Sequence, residues 1–575
     1  MTKAVNEWLK VGPVAGLILG TLAAVTTTGA GAAREDVPPP ATSPYGAYLA
    51  GRHAQEDRAF GVAASFYEQA LRADPQAPEL ITRTFVMEAD TGHFERALPL
   101  AKEALQLDSS DAVADLMLLI DRVKAGDKAG ALARAEALPD DGLHRYLSPL
   151  ARAWTRVATG NLPGAEAALH DLDKFDGFAP LEYFQLGLIY DFVGNPVKAE
   201  ELYKKTLAAT GQLNWRLADT MANFYERHGR RDEAAAVYAR FVKENPGSEL
   251  AEVVQSEKPA VNPAPLIGSA TDGLAEALFD LASVVNRPDT IDLALIYDRA
   301  ALELRPNLMV AQLLLADILT DQGKPQQSLA ILTEIPPQSR YSWSARLRAA
   351  ANLEALDHTD EAIAELQAMA AKEPKWASAE IQLGDTLREQ KRFSEAADAY
   401  SEAIKRLKAE GMPPRWALYY SRGIAYERSN QWTLAEADLE HALELKPDQP
   451  LVLNYLGYSW IDRGEKLKRG LKMIEKAVEL RPDDGYIVDS LGWAHYRLGD
   501  YASAVEYLEK ALELVPEDPT INDHLGDAYW KSGRTTEARY QWRRALQFKP
   551  DKDDIKPIEA KLDRGLPVAT KAGGG

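Results

Sequence analysis

From Leu453 to Pro550 the apolar and small positions of the chain recur at a fixed step. Leu456-Gly457, Leu491-Gly492 and Leu525-Gly526 are separated by 35 residues (457 to 492) and then 34 (492 to 526). A period near 34 predicts paired helices stacked as a repeat. The second half of each unit repeats as closely, because Ala504, Leu508, Ala511 and Pro516 follow Gly492 at the offsets at which Ala538, Trp542, Ala545 and Pro550 follow Gly526. Small residues are needed where two antiparallel helices cross, since a larger side chain would force the axes apart at a cost of about 1–3 kcal/mol. Proline then ends the second helix by disfavouring the helical conformation at the residue before it.

The same lattice runs back to the start of the chain. Gly51 with Ala63, Tyr67, Ala70 and Pro75 carries the offsets of the C-terminal units, and the later anchors Phe85, Leu119, Ala153, Gly187 and Ala222 are followed by Ala97, Ala131, Ala165, Ala199 and Ala234. About six repeats are expected over 44–247. Lys258-Pro259, Asn262-Pro263 and Pro265 then interrupt the rhythm, and the step from Ala222 to Ala282 is 60 residues. Residues 248–271 are therefore expected to be a hinge or linker. A second array of about eight repeats is expected over 272–552, anchored at Ala282, Ala316, Ala350, Gly384, Gly423, Gly457, Gly492 and Gly526, with Gly411-Met412-Pro413-Pro414 as an inserted loop. Residues 553–575 should supply a capping helix and a disordered tail.

Leu525-Gly526-x2-Tyr529, Ala538-x3-Trp542-x2-Ala545 and Pro550 resemble the tetratricopeptide repeat. The resemblance implies an all-α solenoid of stacked helix pairs, here in two arrays, whose first helices line a concave groove. On that basis the groove residues are expected to be Tyr420, Asn454, Tyr458, Tyr486, Asp489, Trp493, Tyr496, Asp523, Asp527 and Trp530, an aromatic and acidic set. Trp460 and Tyr529 fall on packing positions and are expected in the core, whereas Trp493 and Tyr458 fit either place. Some relatives hold a chaperone's C-terminal carboxylate with lysine and asparagine, but the matching positions here are Asp489, Trp493, Asp523 and Asp527, which would repel it.

Charge narrows the partners. A net charge of −20 and a pI near 5.1 argue against nucleic acid, which is held through a basic surface. Residues 1–32 read as a signal peptide: Lys3 and Lys10 precede an apolar run over 11–25, and Ala30-Gly31-Ala32 stands before Arg34. Residues 33–43, with Pro38-Pro39-Pro40, read as a tether. A cleaved leader would leave a periplasmic chain with at most peripheral membrane contact; an uncleaved one would anchor it in the inner membrane. The chain has no cysteine, which excludes thiol chemistry and a lipid-modified cysteine.

No catalytic, nucleotide-binding or metal motif stands out, so no enzyme activity, cofactor or metal is expected. His524 between Asp523 and Asp527 reads as a solvated helix face. The function expected is a non-catalytic scaffold for protein–protein contacts. The stretches 453–458 and 489–493 resemble exported Gram-negative tetratricopeptide proteins that partner a carboxy-terminal processing protease and present cell-wall hydrolases to it. The alternative is a structural scaffold of a secretion or exopolysaccharide-export complex.

Overall fold

The computed structural model describes residues 41, 43–107, 111–140, 144–257 and 260–566. The expected leader (1–32), nearly all of the tether and the end of the tail lie outside these residues. Every regular element among the described residues is helical, and no helix among them is long and apolar enough to cross a membrane. The chain divides into two compact units, 1–366 and 367–575.

The first unit opens with six helix pairs. They are α1 (Pro44–Glu56) and α2 (Phe60–Ala73), α3 (Pro78–Thr91) and α4 (Phe94–Leu107), α5 (Ala112–Lys124) and α6 (Lys128–Ala137). Next come α7 (His144–Ala158) and α8 (Leu162–Leu169), α9 (Ala179–Phe192) and α10 (Pro196–Thr210), α11 (Trp215–Arg227) and α12 (Arg231–Glu244). A single helix α13 (Glu249–Ser256) separates these from α14 (Ala270–Val285) and α15 (Ile291–Leu304), α16 (Met309–Asp321) and α17 (Pro325–Glu334), and α18 (Ser342–Ala355) and α19 (Thr359–Lys372). The division between the units falls within α19.

The second unit continues with α20 (Ser378–Glu389) and α21 (Phe393–Ala409), α22 (Trp416–Arg428) and α23 (Trp432–Leu445), α24 (Pro450–Asp462) and α25 (Leu467–Leu480). It ends with α26 (Gly485–Arg497) and α27 (Tyr501–Leu514), α28 (Pro519–Lys531) and α29 (Thr535–Gln547), and the single helix α30 (Lys552–Arg564).

Each anchor residue lies in the first helix of a pair, and each partner alanine of the first six pairs is buried in the second. The crossing is as close as the sequence demands. A Cβ at Gly457 would stand 2.8 Å from the Gly470 carbonyl oxygen, and one at Gly492 would stand 2.6 Å from Leu508 Cγ. Within a pair the turn requires a left-handed residue, supplied by Gly499 and Gly533 (φ 83° and 84°) but by Asn430 where glycine is missing. Asp484, Asp500 and Asp518 cap the following helices by accepting backbone N–H groups.

The stretch 248–271, expected as a linker between arrays, lies inside the first unit and is pinned there. Lys258 and Pro259 lie outside the described residues; Pro263 and Pro265 stand between α13 and α14, and backbone groups around them find side-chain partners. Asn223 donates to the Ala264 carbonyl (3.0 Å), Arg305 to the Leu266 carbonyl (3.0 Å), and Ala260 N–H to Glu226 (2.9 Å). Arg348 meets Glu249 at 3.0 Å and Arg340 meets Glu257 at 3.0 Å, which ties α13 and the residue after it to the α18 region. Charged side chains on distant helices hold this segment, and a 34-residue period does not encode them.

A second departure concerns the inner face of the first unit. Helix α14 packs on α7 and α9, and α15 packs on α3 and α5, all four being first helices of their pairs. Gly273 of α14 lies flat on Trp154 of α7, where a Cβ would come within 2.1 Å of the indole. Arg216 of α11 forks onto Glu276 of α14, which is fully buried. Gln185 links Trp154 (2.7 Å) to Asp280 (2.6 Å). Lys124 reaches Glu303, and Leu295 joins Phe60 and Met87 in one apolar cluster. The groove-lining helices of this unit are thus covered by the chain's own seventh pair.

Candidate protein-binding face

In the second unit the expected groove residues fall into rows one repeat apart. Tyr420, Asn454, Asp489 and Asp523 form one row (steps of 34, 35 and 34), and Tyr458, Trp493 and Asp527 form another (35 and 34). Tyr496 and Trp530 follow one turn on. All stand on α22, α24, α26 or α28, so the helix lattice aligns them on one side of the stack.

Toward the start of the unit the rows present half-buried rings. Tyr420 meets Tyr455 edge-on at 5.9 Å, and burial pushes its hydroxyl up to about 12. Tyr458 packs beside Ile461, Ile474 and Leu491, and burial, then the nearby Asp489, raise its hydroxyl to about 12. Asn454 and Trp493 each carry a buried atom, Oδ1 and Nε1, with no hydrogen-bond partner. An unmade bond of this kind costs about 1–3 kcal/mol.

Toward the end of the unit the rows close up. Trp493 is stacked on both sides, on Tyr496 at 4.7 Å and on His524 at 4.0 Å. Asp489 does not face solvent as a free acid; it pairs with His524 Nδ1 at 3.0 Å. Burial opposes the charge on His524, but Asp489, with Asp523 and Asp527 behind it, outweighs burial and holds the imidazole above its usual range. The expectation of a solvated His524 therefore gives way to a buried ion pair spanning two repeats.

Helix α30 covers the rest. Lys561 Nζ donates to Asp523 (2.7 Å) and Asp527 (2.9 Å), and Asp527 also accepts from Trp542 Nε1 at 2.9 Å. Trp530 lies against Trp542 (5.4 Å) and under Gly565, where a Cβ would come within 1.9 Å of its ring. Asp523, Asp527 and Trp530 thus belong to the seal of the last repeat, because a terminal face must be covered. Tyr486 is 56% exposed, one turn before Asp489 on α26, and sits in a shallow cleft with Arg481, Pro482 and Val515. The acids are neutralised internally, and the face that remains is aromatic and amide-bearing: Tyr420, Asn454, Tyr458 and the edge of Trp493. Trp460 and Tyr529 are core residues, as their packing positions implied.

The partners that sequence reasoning missed are His524 and Lys561. A paired carboxylate would have been legible only from the basic residue one repeat later, 35 positions from Asp489 to His524.

Profiles of the tetratricopeptide repeat match residues 220–248, 417–449 and 490–553, and one of a tetratricopeptide repeat-like domain matches 305–418. The TPR repeat-containing protein PA4667 of Pseudomonas aeruginosa is 29% identical over 167 residues, which is 28% of this chain and 27% of that protein. The chain therefore spans little more than a quarter of that relative's length. Among solved structures, the Cut9–Hcn1 hetero-tetramer of the APC/C is 17% identical, covering 92% of this chain and 97% of that one, with a TM-score of 0.39. A tetratricopeptide repeat protein from Parabacteroides merdae is 15% identical over 44% of this chain and 96% of its own, with a TM-score of 0.37. Repeat profiles at four places along a lattice of stacked helix pairs make this chain a tetratricopeptide repeat protein.

Proposed function

We propose that the chain is an exported adaptor of the cell envelope, holding a periplasmic carboxy-terminal processing protease or its cell-wall hydrolase substrates on the inner face of its second unit. Tetratricopeptide repeats bind other proteins, and their scaffolds are generally non-catalytic. The observation that carries the placement is the contrast between the inner faces of the units: the first is covered by α14 and α15, whereas the second keeps the half-buried rings of Tyr420, Tyr458 and Trp493 beside Asn454. Rigid aromatics of this sort dominate binding energy where they occur, at about 2 kcal/mol or more each. The leader-like residues 1–32 and the resemblance at 453–458 and 489–493 support the compartment and the partner class.

Cell fractionation and capture from envelope extract with the full chain as bait test the reading together. The protease should be recovered by the wild-type chain and lost with Tyr458→Ala. Cytosolic chains that retain Met1, or capture of secretion or exopolysaccharide-export subunits in place of a protease, would overturn it.

A further inference from the structure

Between the fourth and fifth pairs the chain makes a short 3₁₀ helix, His170–Lys174, before α9 begins. In a 3₁₀ helix the side chains at i and i+3 eclipse. Leu169 and Leu172, three apart, are both fully buried and fix which side faces inward. His170 and Asp173, also three apart, are thereby brought together on the outer side. Glu182, in the first turn of α9, meets them from across the turn, with its Oε1 2.5 Å from His170 Nδ1. The turn is set by packed rings: Tyr146 stacks on Phe178 at 4.4 Å and takes Phe175 edge-on at 5.1 Å.

The donor atoms of His170, Asp173 and Glu182 lie within 4.8 Å of one another, and no other group of three histidine or carboxylate side chains does so among the described residues. The Glu182 side chain is 1% exposed, and its second oxygen, Oε2, is buried with no hydrogen-bond partner. The nearest lysine in sequence, Lys174, is engaged with Asp171 at 2.7 Å. A desolvated carboxylate oxygen beside a second carboxylate, with no donor offered to it, is costly unless a cation completes the group.

We propose that His170, Asp173 and Glu182 form a divalent-cation site, with Zn²⁺ as the best-matched ion. One imidazole and two carboxylates are a borderline donor set that suits Zn²⁺ better than the all-oxygen ions. Zn²⁺ takes nitrogen and oxygen ligands at about 2.0–2.2 Å. His170 and Asp173 are exposed, while buried Glu182 is the fixed ligand. Water completes the tetrahedron. The ion would clamp the 3₁₀ turn to the start of α9, and so fix the step between two repeats where an extra turn interrupts the regular lattice.

The test uses the full chain after treatment with a chelator. Calorimetric titration with Zn²⁺ alone should give one tight site per chain, and Co²⁺ in its place should give the visible absorption bands of a four-coordinate ion. Loss of an outer partner of a metal ligand already costs about 10–100-fold in affinity. His170→Gln and Asp173→Asn should therefore each weaken binding at least about tenfold, while His170→Gln, whose amide can still donate to Glu182, and Asp173→Asn keep the helical circular-dichroism spectrum of the wild type in chelator. His53→Gln, at another surface histidine, should leave the titration as it is. Equal binding by wild type and both variants, or no uptake by the wild type, would overturn the site and leave a proton shared by the two carboxyls as its occupant.

Discussion

Trp493 offers the sharpest separation of binding from stability, because its ring faces and its indole N–H have different partners. The faces are stacked on Tyr496 and His524; the N–H has no partner and is buried. Each aromatic pair contributes about 0.5–1.5 kcal/mol beyond its burial, so Trp493→Ala should destabilise the second unit by about 1–3 kcal/mol from stacking alone. That exceeds the roughly 0.5 kcal/mol expected of a surface side chain. Trp493→Phe keeps a ring between the two neighbours and deletes only the N–H. Its stability should stay within about 1 kcal/mol of wild type, whereas a lost hydrogen bond to a partner, at about 0.5–1.5 kcal/mol, weakens capture roughly two- to tenfold. Urea unfolding and capture measured per folded molecule read both quantities. If Trp493→Phe unfolds as readily as Trp493→Ala while capture is intact, the indole N–H serves no ligand and Trp493 is core.

Three further outcomes follow from buried charge. Lys561→Ala leaves Asp523 and Asp527 without their cation, and breaking such a pair costs about 3 kcal/mol; hydrogen exchange over 552–564 should lose protection, and restoring it by Asp523→Asn with Asp527→Asn would confirm the cause. His524 has a raised value in the folded chain, so its stabilisation is fully present below the unfolded value near 6.5 and is lost as pH rises through the folded one; a urea midpoint that falls from pH 6 to pH 8 in wild type should be flatter in His524→Gln. Arg216→Met strands the fully buried Glu276 and should destabilise the first unit by about 3–5 kcal/mol, measurable as a lower urea midpoint with the second unit's transition unmoved.

Local pattern made the pairs legible. An anchor such as Gly492 and its alanine twelve residues on meet within one pair, so spacing alone encodes the contact. The drifted anchors Phe85, Leu119 and Ala153 kept their places because Ala97, Ala131 and Ala165 kept theirs. How residues 248–271 are held was not legible, because proline reports where a helix stops and says nothing of where the freed carbonyls go; Asn223 and Arg305, 41 and 39 residues away in sequence, decide that. The rows were legible as positions one repeat apart, but their charge was not, since Lys561 and His524 pair with the acids from other helices. In the His170, Asp173 and Glu182 cluster only the first two share a spacing, three residues within a 3₁₀ turn, and a loop separates them from Glu182.

The seating of α14 and α15 on α3, α5, α7 and α9 changes how the first unit can fold. A stack of repeats that touches only its neighbours propagates from any point with short-range contacts. Here residues 270–304 must return to helices laid down from residue 78 onward, which raises contact order and slows the closing step. Until that segment has been synthesised and placed, Trp154, Phe60 and Met87 lack their cover. A nascent or truncated chain ending near residue 247 would expose an apolar trough and depend on a holding chaperone, although every one of its six repeats is complete.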